Sequence, residues 1–86
     1  MIKKKALKKT ILNYTVIFEP DPQGGFVVYV PALPGCYTQG ETLDEAYKMA
    51  EDAIGGYIKT LRDLKKEIPC ESNQSIIARI AVAVEV

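Results

Sequence analysis

The chain has 86 residues and no net charge, with 11 Lys and Arg against 11 Asp and Glu, no His and two cysteines, Cys36 and Cys70. Without His, the Ser-His and Cys-His nucleophile pairs and His-based metal sites are excluded. Two cysteines outside any Cys-x-x-Cys pair argue against zinc, and an apolar fraction of 48% without low-complexity tracts argues against disorder.

The charge is unevenly placed. Residues 1–10 hold Lys3, Lys4, Lys5, Lys8 and Lys9 and no acid, which leaves 6 basic and 11 acidic groups over residues 11–86, a net of −5. A basic arm on an acidic body is the pattern. The arm reads as a solvated terminus or as a sequence-blind contact to nucleic acid phosphates; the body suits a basic partner. No cleavable leader is visible behind the lysines, and no apolar run approaches the roughly 18 residues of a membrane span. A cytoplasmic protein with reduced thiols and no membrane contact is expected, and whether Cys36 and Cys70 lie within disulfide reach is open.

In chain order, residues 11–19 alternate. Leu12, Tyr14, Val16 and Phe18 fall on one face, which predicts a half-buried strand. Residues 20–25 contain two prolines and two glycines and predict a turn. Residues 25–30 are apolar on both faces, with Phe26, Val28 and Val30 on one, so this strand is expected to be central and to pair antiparallel with the first. Pro31, Pro34 and Gly35 make a corner, and residues 36–39 allow a short third strand.

Thr42 with Glu45 is a capping-box signature, reinforced by Asp44 at the positive end of the helix dipole. Apolar residues at helical spacing follow from Leu43 to Leu64, and Lys65, Lys66 and Pro69 mark the end. Gly55 and Gly56 interrupt the pattern at a cost of roughly 1 kcal/mol each. They predict close approach of the helix to the sheet, a mild kink, or close approach of a partner chain. After a polar linker, residues 75–86 alternate again and predict a last strand after the helical crossover. The expected fold is α+β, in the order β-β-β-α-β: a three-stranded antiparallel sheet plus a final strand, with one long helix packed on one face. Residues 1–10 form an arm and residues 11–86 one domain.

Few residues carry chemistry. Glu19 and Asp21 could recruit a metal, but no third carboxylate is placed beside them, and a solvated acidic turn is the plainer reading. No phosphate-binding loop exists, and Gly24-Gly25 does not open a helix. Cys36 has no cation near it in sequence and reads as a small packed residue. One long helix leaves no helix-turn-helix.

The stretch Gly25-Phe26, Pro31-x-Leu33-Pro34-Gly35-Cys36, Thr38-x-Gly40 and Thr42-x-x-Glu45-Ala46 resembles the N-terminal domain of the HicB antitoxin family, across about residues 12–86. The resemblance implies a partial RNase H-like fold with strand order 3-2-1-4. It implies a non-catalytic antitoxin that occludes a small basic HicA-type ribonuclease toxin, forms dimers or tetramers and needs no cofactor. Many family members carry a further DNA-binding domain. This chain ends at the last predicted strand, so operator binding by it alone is not expected. Toxin contact is expected at Glu19, Asp21, Tyr29 and Tyr37. The alternatives are a self-assembling orphan domain, joined through the last strand, and a weak nucleic-acid module using Lys3, Lys4, Lys5, Lys8 and Lys9.

Overall fold

The structure, a computed structural model, describes residues 10–86. The five arm lysines lie outside the described residues. Three strands, β1 (Ile17–Pro20), β2 (Phe26–Tyr29) and β3 (Tyr37–Gly40), precede one helix, α1 (Leu43–Asp63). The sheet order is β1-β2-β3, antiparallel throughout, so β2 is central as its two apolar faces require. The α+β class and the antiparallel hairpin are as read from the sequence.

Strand β1 is shorter than the alternating pattern that contains it. Its register ends at Ile17 opposite Tyr29, because the next residue of β2's chain turns away. Val30 N–H donates to Cys36 C=O, and Pro31 has no N–H to offer. Residues 11–16 therefore run past the sheet without a ladder partner. Their side chains still follow the pattern: Tyr14 and Val16 pack onto the buried trio Val30, Leu33 and Cys36. Val16, Phe18 and Phe26 pack onto Val28, Ala46 and Ala50.

Helix α1 sits on the face that carries these residues. Its first turn comes close because both surfaces are small there. A Cβ on Gly40 would lie 2.4 Å from Ala46 N and 2.5 Å from Ala46 Cα. A Cβ on Gly25, whose φ is +75°, would lie 2.6 Å from Gly40 C=O. Both glycines of the motif are thus fixed by backbone-to-backbone approach.

The helix ends are built as the sequence indicates. Thr42 Oγ1 accepts from Glu45 N–H at 3.1 Å, the hydroxyl half of the capping box. At the other end Lys65 takes φ +56°, with Lys65 N–H donating to Arg62 C=O and Lys66 N–H to Leu61 C=O. This is a Schellman closure with lysine where glycine is favoured. The buried stripe is narrower than the apolar spacing implies: Leu43, Tyr47 and Leu64 are more than half exposed. Tyr57 Oη donates to Pro34 C=O at 2.8 Å and ties the Pro-Gly corner to the helix.

Two expectations are corrected. Helix α1 is continuous through Gly55 and Gly56, and a Cβ on either would meet nothing within 4 Å, so neither glycine marks an approach to the sheet. Residues 75–86 form no strand; every one is exposed. The period-two pattern is real, but a strand exists only where a neighbour completes its ladder, and here no neighbour lies alongside.

Lys65→Gly is expected to stabilise the fold by about 1 kcal/mol, read as a raised midpoint in urea unfolding, because it removes the left-handed penalty of a residue with a Cβ. Gly40→Ala is expected to destabilise by about 3 kcal/mol in the same measurement, since the methyl meets backbone that no rotamer change can move.

Candidate protein-binding face

The sheet surface opposite α1 is built by strict alternation. Val28 points to the helix, so Val27 and Tyr29 point away, and the register extends this across the sheet. Ile17, Tyr29 and Tyr37 form one row; Glu19, Val27 and Gln39 form the next. The Tyr29 and Tyr37 rings lie 6.3 Å apart and tilted by 40°. Tyr29 Oη donates to Glu19 Oε1 at 2.9 Å, across the diagonal of the hairpin. That hydrogen bond is the first cause, ahead of burial and the nearby charge, that holds the Tyr29 hydroxyl above its ordinary pKa. The bond orients Tyr29 while its ring stays available. Tyr37 is 68% exposed and Val27 38%.

Of the residues expected to make contact, Glu19, Tyr29 and Tyr37 are thus brought onto one face. Asp21 is set apart from it. Its Oδ1 accepts from Gln23 N–H at 2.9 Å, its C=O accepts from Gly24 N–H, and its N–H donates to Gly25 C=O. Asp21 organises the turn, in the manner of an Asx turn. Lys3, Lys4, Lys5, Lys8 and Lys9 fall outside the described residues. Ile17, Val27 and Gln39 belong to the face and were not singled out from sequence. Their alternation was legible; only the register, which depends on the turn, places them beside the tyrosines.

Two clefts flank the helix. One of about 450 Å³ lies between α1 and the β1 side, lined by Leu12, Val16, Phe18, Tyr47, Ile54 and Gly55 among others, with Phe18 and Tyr47 stacked at 6.4 Å. The other, about 430 Å³, lies on the β3 side against Cys36, Tyr37, Gly56 and Tyr57. Each of the paired helical glycines faces one of them. Among the described residues no group of three or more His, Cys, Asp or Glu is placed to hold a metal, and no helix is long and apolar enough to cross a membrane.

Both thiols are free. Cys36 is buried against Val30 and Leu33, and burial pushes its pKa up, which makes it a packed rather than a reactive residue, as read from sequence. Cys70 is exposed.

The class of protein that the fold defines is a small α+β domain, with an aromatic and aliphatic sheet face bordered by an acidic turn. The family described as "HicB_like antitoxin of bacterial toxin-antitoxin system" matches residues 14–83, and the chain belongs to that family. UPF0150 protein Ta0767 of Thermoplasma acidophilum is 45% identical over 65 residues, covering 76% of this chain and 94% of that one. UPF0150 protein ssr1765 of Synechocystis is 40% identical over 63 residues, covering 73% and 80%. Antitoxin HicB of Escherichia coli K12 is 42% identical over 43 residues, which cover 50% of this chain and 31% of that longer protein.

A chromogenic disulfide reagent is expected to titrate one thiol per native chain at once, Cys70, and the second only as the protein unfolds. Equal rates for both would contradict the burial of Cys36.

Proposed function

We propose that this chain is an antitoxin that binds a small basic ribonuclease of the HicA type and occludes its active site, with no catalysis of its own. The observation that carries the reading is the juxtaposition of Tyr29, Tyr37, Val27 and Ile17 on one exposed face, with Glu19 at its border. Tyrosines are favoured at binding hot spots because they bring large, rigid, amphipathic area. The net charge of −5 over residues 11–86 adds steering toward a basic partner and repels nucleic acid, so the body competes with RNA for the toxin rather than joining it. A cytoplasmic setting, where messenger RNA is cut, follows from this role.

The Asp21 carboxylate is engaged in its turn, so its contribution is to hold Glu19 and Tyr29 in register rather than to touch the partner. The arm lysines, if they contact RNA, would do so as point charges without sequence choice.

The test is co-expression with a HicA-type protein, followed by size exclusion and an RNA-cleavage assay. A co-purifying complex without nuclease activity is the expected result; free, active toxin would sink the reading. Within such a complex the double variant Tyr29→Ala/Tyr37→Ala is expected to weaken binding at least tenfold, measured by calorimetry, while the thermal midpoint of the free chain moves by only a few degrees. Unchanged affinity would move the interface elsewhere on the molecule.

A further inference from the structure

Between Lys9 and Lys48 the sequence holds no basic residue, while Glu19, Asp21, Glu41, Asp44 and Glu45 are all acids. All three strands and their connections fall in that stretch, so the sheet has no cation of its own to set against Glu19. The described cations lie on α1, just after it, or in the tail at Arg79. Among the described residues the one ion pair is Lys59 with Asp63, on the helix. Glu19 is thus an exposed carboxylate that accepts from Tyr29 Oη and, among the described residues, meets no cation.

Resting on the reading of this sheet face as a partner surface, we propose that Glu19, Tyr29 and Tyr37 form a socket for one arginine side chain of the partner, with Glu19 as the residue that selects it. The hydrogen bond from Tyr29 Oη to Glu19 Oε1, at 2.9 Å, holds the ring with its hydroxyl end at the carboxylate. A carboxylate offers about four acceptor positions, and the hydroxyl fills one. A guanidinium fork takes two more, one on each oxygen. Paired there, it comes beside the Tyr29 ring, within the roughly 6 Å at which a cation is drawn to an aromatic face. The Tyr37 ring is the second wall. Its centroid lies 6.3 Å from that of Tyr29, and the 40° tilt keeps the rings from stacking on each other, so their faces stay open to a planar group. Val27 is the register partner of Glu19 and is 38% exposed, a bed for the aliphatic stem.

The chemistry of the socket separates its possible occupants. Lysine meets a carboxylate as a compact, strongly hydrated point charge and does not lie flat on a ring while doing so; the planar guanidinium does both. A nucleic acid base can stack on a tyrosine, but its phosphates meet Glu19 and the acids beyond it. Pro20, Phe26 and Gly40 are register partners at one end of the sheet, and Glu19, Asp21 and Glu41 are their chain neighbours there. The field of that end repels a polyanion and draws in a cation. Glu19 therefore does more than border the face: it orients Tyr29 and supplies the charge that the arginine answers.

The full chain, with isotope-labelled backbone amides and tyrosine rings, is titrated with N-acetyl-arginine amide at constant ionic strength and followed by nuclear magnetic resonance. Saturable shifts of the Tyr29 and Tyr37 rings and of the Glu19 amide are expected, with a dissociation constant of about 5 mM for so small a probe. N-acetyl-lysine amide is expected to bind about fivefold more weakly. Glu19→Gln keeps an acceptor for Tyr29 Oη but removes the charge; it is expected to weaken arginine binding about tenfold while the amide spectrum keeps its dispersion. Equal binding of lysine, indifference to Glu19→Gln, or shifts confined to α1 would each overturn the proposal. So would hexauridylate moving the same two rings at lower concentration than arginine, which would make the face a base-stacking surface. The titration contains no toxin, so its failure leaves the antitoxin reading to the co-expression test. A chain that takes arginine at these residues but captures no HicA-type protein would keep the socket and lose that partner.

Discussion

Everything on this scaffold depends on the contact between Gly40 and Ala46. Five residues lie between Gly40 at the end of the sheet and Ala46, the first buried position of the helix, and in that distance the chain must reverse and lay α1 down at close range. Only a missing Cβ on one side and a methyl on the other allow it. Once the helix starts there, Ala50 follows at the next turn on the same line, still small, and Val28 is sealed from solvent beneath it. Farther along, the residues enlarge to Ile54, Tyr57 and Ile58, and the helix rides over the Pro-Gly corner instead of the sheet. The helix is thus tightest where it begins and loosest where the clefts open on its flanks.

The same contact explains why the sequence motif is spaced as it is. Gly25 lies under Gly40, Gly40 lies under Ala46, and Thr42 caps the helix between them. Glycine, threonine and alanine are therefore not three signals but one stack. The sheet face opposite the helix gains from this arrangement: with the helix side closed by small residues, the large side chains of the central strands, Tyr29 and Tyr37 among them, are left on the outside.

Much of this was legible in the residues. The period of two gave the strands and their faces, and the Thr42-to-Glu45 spacing gave the first turn of α1. The inventory without His removed most enzyme chemistries before any geometry was known. What escaped was whatever depends on a neighbour. The beginning of β1 was overextended because alternation persists through residues 11–16 while the ladder stops at Tyr29. Leu43, Tyr47 and Leu64 satisfy helical spacing yet stand beyond the reach of a three-stranded sheet. Ile17 and Val27 joined the tyrosines only through register.

The last strand is the clearest instance, and it reverses the usual lesson. Its pattern is as regular as that of β2, and its residues are more apolar than those of β3, yet β2 and β3 are strands and residues 75–86 are not. Propensity and periodicity state which structure a segment can take; the hydrogen-bonding partner decides whether it does.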